Sequence, residues 1–84
     1  MIKIKLNKNE YQYLYRMNFI SDNYNVIYNP KEKEFFLLEC SKDQADEIRD
    51  KCSEKLQIVG FDEKYELTPE GKILEDLINK FFIR

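Results

Sequence analysis

Tyr65-Glu66-Leu67-Thr68-Pro69-Glu70-Gly71-Lys72-Ile73-Leu74-Glu75-Asp76-Leu77-Ile78-Asn79-Lys80-Phe81-Phe82-Ile83-Arg84 is the stretch whose reading decides the fold. The Thr68 hydroxyl can accept from the free N–H groups of a first helical turn, so Thr68 reads as an N-cap. Pro69 falls at the first helical position, where a missing N–H removes no bond. Glu70 sets a negative charge on the positive end of the helix dipole. Ile73, Leu74, Leu77, Ile78, Phe81 and Phe82 then recur at helical spacing. They cover roughly half the helix circumference. An apolar face that broad needs other elements to cover it.

Upstream, Ser41 followed by Gln44 has the capping-box spacing. Behind it Ala45, Ile48, Cys52, Leu56 and Val59 fall in a narrow stripe, the most regular helical pattern in the chain. Gly60 is expected at the C′ position, with Phe61 folded back on the last turn. Residues 62–67 then read as a connector to Thr68. The alternative is a late hairpin pairing 57–61 with 64–67.

In the first half, Ile2, Ile4 and Leu6 alternate with Lys3, Lys5 and Asn7, which predicts a strand with one wet face. Its lysines suit a sheet edge. Asn7 or Asn9 can cap a helix running to about Ile20. That helix has two apolar sides, one with Tyr11, Leu14, Tyr15 and Phe19, the other with Tyr13, Met17 and Ile20. Gln12 and Arg16 mark its polar sector. Residues 21–23 read as a turn. Residues 24–29 alternate as a second strand, and Pro30 fixes a turn. Phe35, Phe36, Leu37 and Leu38 follow without alternation, so this third strand is expected to be central, with both faces partly buried. The order is β-α-β-β-α-α, a single small α+β domain over 1–84. A β-α-β crossover leaves room for a strand between its ends. The most apolar strand fills that room, giving a three-stranded antiparallel-type sheet ordered 1-3-2 and packed by helices.

A chain of 84 residues supports one domain. The sequence has no histidine, which removes the commonest general base near neutral pH and the commonest transition-metal ligand. Cys40 and Cys52 make neither a disulfide framework nor a zinc site. Cys40 lies before a helix start, where a thiolate is favoured, but no base or resolving cysteine is evident. No phosphate-binding glycine loop, cofactor motif or membrane span is read, and the carboxylate pairs look exposed and interspersed with lysine. The expectation is a cytoplasmic, non-enzymatic protein without a cofactor or metal. Abundant Lys, Asn, Ile and Tyr fit an AT-rich bacterial or phage genome.

Residues 1–42 carry seven basic and five acidic groups, net +2, and residues 43–84 carry seven basic and eleven acidic, net −4. Much of the acidic excess falls on the helix after Ser41. Asp43, Asp46, Glu47, Asp50 and Glu54 project within about 100° of one another on a helix. Like charges at i,i+4 destabilise an isolated helix. Such a row is expected either to keep the protein soluble or to meet a basic protein partner. Tyrosines concentrate in residues 11–28. Tyr13 and Met17 are expected on the exposed side of the first helix, as partner contacts.

Leu67-Thr68-Pro69-Glu70-Gly71-Lys72 resembles the strand-to-helix step after the wing in winged-helix regulators, over those six residues. No helix-turn-helix is read upstream. The leading expectation is a protein-binding module of the immunity, antitoxin or inhibitor type. It would dock a basic partner through the acidic helix and the tyrosine-rich helix. The alternatives are a small nucleic-acid-binding regulator, which the net negative charge disfavours, and a self-associating protein.

Overall fold

The Ser41 and Thr68 caps form as their sequence demands. In the computed structural model, which describes residues 2–21, 24–29 and 35–82, the elements are β1 (Ile2–Leu6), α1 (Lys8–Arg16), β2 (Asn25–Asn29), β3 (Phe35–Cys40), α2 (Lys42–Val59) and α3 (Pro69–Lys80). The turns expected at 22–23 and around Pro30 lie outside the described residues. The sheet is antiparallel and ordered β1-β3-β2, with Ile4 and Val26 flanking Leu38.

Alternation on the strands sets the layers. Ile4, Leu6, Leu38 and Cys40 are buried on one face, under all three helices. Lys3, Lys5, Asn25 and Ile27 are exposed on the other. There Glu39 lies between Lys3 (4.0 Å) and Asn25 (3.2 Å), and the Lys5 ammonium stands 3.9 Å from the centre of the Phe35 ring. The outer side of β3 is therefore only half-buried, shaded by neighbouring side chains. Lysine stems can cover apolar surface in this way while their charge stays in water.

α1 ends earlier than its apolar residues predict. Asn7 caps it, and Glu10 completes a capping box. Asn18 then adopts φ 61°, the Asn18 N–H bonds to the Tyr15 carbonyl, and the Phe19 N–H reaches back to the Leu14 carbonyl at 2.9 Å. This is a Schellman ending with asparagine in the left-handed position, so Phe19 and Ile20 follow the reversed chain and not the helix.

α1 is bound to α3 by polar contacts at two points. Glu10, 3% exposed, accepts from the Lys80 ammonium. The Tyr13 hydroxyl donates to the Glu70 carboxylate at 2.5 Å.

At the N-terminal end of α3, the Thr68 hydroxyl donates to the Val59 carbonyl and accepts from the Gly71 N–H, both at 2.9 Å. Gly60 is not the left-handed C′ residue expected: its φ is −76° and its N–H closes the last turn on Leu56. Its lack of a side chain matters for space. A Cβ there would meet Leu56, and a Cβ on Gly71 would strike the Gly60 backbone. Phe61 does not fold back on α2. It is 49% exposed and pairs with Leu67 in a lone antiparallel bridge, so the connector is a tight loop closed at its base. Phe82, expected on the apolar face of α3, is 54% exposed with the Arg49 guanidinium 5.6 Å from the centre of its ring, whereas Phe81 is buried.

Thr68→Val keeps the shape and removes one group that serves two helix ends. Urea unfolding is expected to show a loss of about 1–2 kcal/mol. Gly71→Ala is expected to cost more, because the new methyl meets rigid backbone and not a yielding side chain.

Candidate functional site

Packing of the Ala45–Ile48–Cys52 stripe into the core turns the opposite face of α2 to solvent. Asp43, Glu47, Asp50 and Glu54 are exposed along it, a row about 16 Å long at the helical rise. Asp46 is only half-exposed at the border. Arg49 lies 3.7 Å from Asp46 and 3.8 Å from Asp50, and Lys51 lies 3.3 Å from Glu47. The Arg49 pairing is not evident from i,i+4 spacing, since its contacts are at i−3 and i+1. Four of the five predicted acidic residues thus form one exposed row, in which Glu47 and Asp50, like Asp46 at the border, have a basic neighbour.

Two strongly exposed side chains follow this row along the chain. Ile58, one turn beyond Glu54, is on the same side of the helix and 75% exposed. After Gly60 the chain makes the loop 61–67. The Asp62 carboxylate accepts from the N–H groups of Lys64 (2.8 Å) and Glu66 (3.0 Å). The Asp62 N–H bonds to the Glu66 carbonyl, and the Tyr65 N–H to the Asp62 carbonyl, both at 2.9 Å. This geometry places Tyr65 at φ 62°, a position glycine or asparagine usually takes in such loops. Tyr65 is also 88% exposed, so no packing offsets the backbone cost. Asp62, Glu63 and Glu66 surround it in the sequence.

The first helix corrects the sequence expectation. Tyr13 is 2% exposed and cannot contact a partner, and Met17 is half-buried against the core. The reason is the Glu70 carboxylate, which satisfies the Tyr13 hydroxyl and lets the ring be buried. Burial and then that hydrogen bond push the Tyr13 phenol pKa upward. The exposed side belongs to Tyr15, at 47%. Tyr11 stacks on Phe36 (4.3 Å between ring centres), which meets Tyr28 at 4.8 Å, while Tyr15 lies 6.2 Å from Tyr11. Tyr11, Gln12, Tyr15 and Arg16 line an open groove of about 460 Å³. A second groove of about 500 Å³ follows the edge of β1, between Lys3, Lys5, Lys80 and Phe35. The lysines of β1 and the tyrosines of α1 therefore do not share a face.

Cys40 and Cys52 are buried free thiols. Burial raises both pKa values, Cys52 from the ordinary 9.0 to about 12, the reverse of what an activated thiolate needs. Tyr24, leading into β2, is raised by burial and then by the nearby Glu47 carboxylate. No helix among the described residues is long and apolar enough to cross a membrane. Comparison with family models, curated proteins and solved structures finds no match.

Two outcomes follow from the loop and the thiols. Tyr65→Gly trades a left-handed cost of about 1–2 kcal/mol against glycine's entropic cost of about 0.5–1 kcal/mol. Chemical denaturation is expected to show unchanged or slightly raised stability. A clear loss would mean that the Tyr65 ring supports the fold. The folded chain holds the Cys52 proton where the unfolded chain releases it, so stability is full below about pH 9 and falls as pH rises toward 12. Cys52→Ala is expected to flatten that alkaline fall, and both native thiols are expected to resist a disulfide reagent until urea unfolds the chain.

Proposed function

We propose that this chain is a non-enzymatic protein-binding module, of the immunity, antitoxin or inhibitor kind, that docks a basic protein along α2. The observation that carries this reading is the open acidic row of α2, Asp43, Glu47, Asp50 and Glu54, followed along the chain by two strongly exposed side chains, Ile58 and Tyr65. Long-range steering and selectivity come from the acidic row. Residence time comes from apolar and aromatic side chains that enter pockets on the partner, as interface anchors do. A basic nuclease, with its positively charged substrate groove, is a natural target class, and the cytoplasm is the compartment proposed for it. The nucleic-acid reading requires a basic surface interleaved with tyrosines. Lys3 and Lys5 flank one side of the sheet while Tyr11 and Tyr15 ride on the helix at the other with a single basic group, Arg16, lining their groove, which favours the protein reading.

The test uses as partner a basic protein that co-purifies with the native chain, with association followed across a salt series. Glu47→Lys, Asp50→Lys and Glu54→Lys together are expected to slow association by about tenfold or more at low salt and to flatten its salt dependence. Tyr65→Ala is expected to speed dissociation and leave the association rate nearly unchanged. A charge-reversed protein that associates at the native rate with the native salt slope would overturn the proposal.

A further inference from the structure

The two free edges of the sheet differ in kind. β1 carries Lys3 and Lys5, and Lys80 lies alongside in the same groove. Adding another strand there would bury ammonium groups, the usual protection of an edge. From Tyr24 to Tyr28 the β2 segment contains no charged residue. Its centre, Val26-Ile27-Tyr28, is built of strong strand formers. Ile27 is 43% exposed on the outer face and Tyr28 is 49% exposed on the helix face, so apolar surface is open on both sides of this edge. Among the described residues β2 has a strand partner only on its β3 side. Along the other side of such a strand, alternate N–H and C=O groups point away from its partner and can pair with a further strand.

The segment is also complementary to itself. Antiparallel pairing about a two-fold axis at Ile27 sets Ile27 against its own copy. It sets each Val26 against the other copy's Tyr28, and aromatic with β-branched side chains is a favourable cross-strand combination. Directly opposed residues share a face. This register therefore keeps the helix layers of both copies on one side, while a slip of one residue would set buried faces against exposed ones. On the helix side, the Tyr11–Phe36–Tyr28 row would continue onto Val26 of the second copy. On the outer side, the Leu37–Ile27 pair would meet its counterpart across the axis.

We propose that β2 pairs with β2 of a second copy of this chain, antiparallel about Ile27, to form one continuous sheet across a two-fold axis. This interface is independent of the acidic row on α2.

Sedimentation of the full chain from micromolar to submillimolar concentration tests it. The native chain is expected to dimerise. Ile27→Lys sets like charges against each other at the axis and is expected to weaken the dimer by about tenfold or more. Tyr15→Ala is expected to leave it intact. A second measurement does not depend on how the variants fold. In the native chain, hydrogen exchange of alternate β2 amides is expected to slow as concentration rises, with β1 amides unaffected. A native chain that stays monomeric throughout overturns the proposal. So does a dimer that is insensitive to Ile27→Lys, one lost on Tyr15→Ala, or concentration-dependent protection on β1 or α1 in place of β2.

Discussion

One hydroxyl group sets the relation between α2 and α3. Thr68 satisfies the last turn of α2 through the Val59 carbonyl and the first turn of α3 through the Gly71 N–H. Helix ends leave backbone groups without partners, and a group serving two ends at once fixes how those ends meet. The Thr68 N–H adds a bond to the Gly60 carbonyl at 2.8 Å. The approach is possible only because glycine occupies both 60 and 71, where a methyl would collide with the other segment or with Leu56. With the helix ends fixed, Leu74, Leu77 and Phe81 reach the core. The seven residues 61–67 must also turn within a short span, and Asp62 supplies the partners for that turn. Tyr65 thus sits in the loop that the Thr68 clasp closes off.

α3 in turn holds α1. Beside its apolar packing, α1 contributes Glu10 and Tyr13, which bind Lys80 and Glu70 near the two ends of α3. A buried ion pair is weak evidence for stability, since desolvation offsets much of the attraction. Its geometric effect is clearer. The Glu10 carboxylate must serve its own capping box and reach Lys80, so α1 has little freedom to slide along α3. Among the described residues no buried side-chain nitrogen or oxygen lacks a partner, so these polar contacts in the core are satisfied.

How much of this was legible depended on whether local chemistry or tertiary contacts decided each residue. The caps at Ser41 and Thr68, the stripe of α2 and the central place of β3 all follow from spacing and apolar content, and the strand order 1-3-2 follows from them. The inner stripe of α1 is Glu10-Tyr13-Leu14-Met17, and a glutamate at its head hides it from a hydrophobic pattern. The opposite charge that offsets that burial comes from Lys80, seventy residues away, beside the local Asn7 N–H. The same limit placed Tyr13 on the wrong side, because its acceptor is Glu70. Asn18 carried a readable hint, since asparagine tolerates the left-handed region that ends a helix. Tyr65 carried none: nothing about tyrosine announces φ 62°, and the turn is set by Asp62 and the Phe61–Leu67 bridge. Of the candidate surface, the acidic row was legible and the exposure of Ile58 and Tyr65 was not.

The local exceptions bear on function through where they fall. A sequence specifies its fold when propensity, pattern, polar satisfaction and charge agree, and natural proteins tend to break that agreement at functional sites. Most of this chain agrees. The conflicts are like charges stacked at i,i+4 on α2, an isoleucine 75% exposed near its end, and a tyrosine held left-handed in solvent. Each is unfavourable by itself, and none supports the core. Had they been scattered, drift at a tolerant surface would account for them. These three fall together on α2 and the loop that follows it; the other exposed apolar side chains, Tyr15, Ile27, Tyr28 and Phe82, lie on α1, on the edge strand β2 and after α3. Selection for solubility explains carboxylates but not Ile58 or Tyr65, which lower solubility. Selection for stability explains none of the three. The proposed partner, drawn in by charge and retained by apolar contact, would account for all of them together.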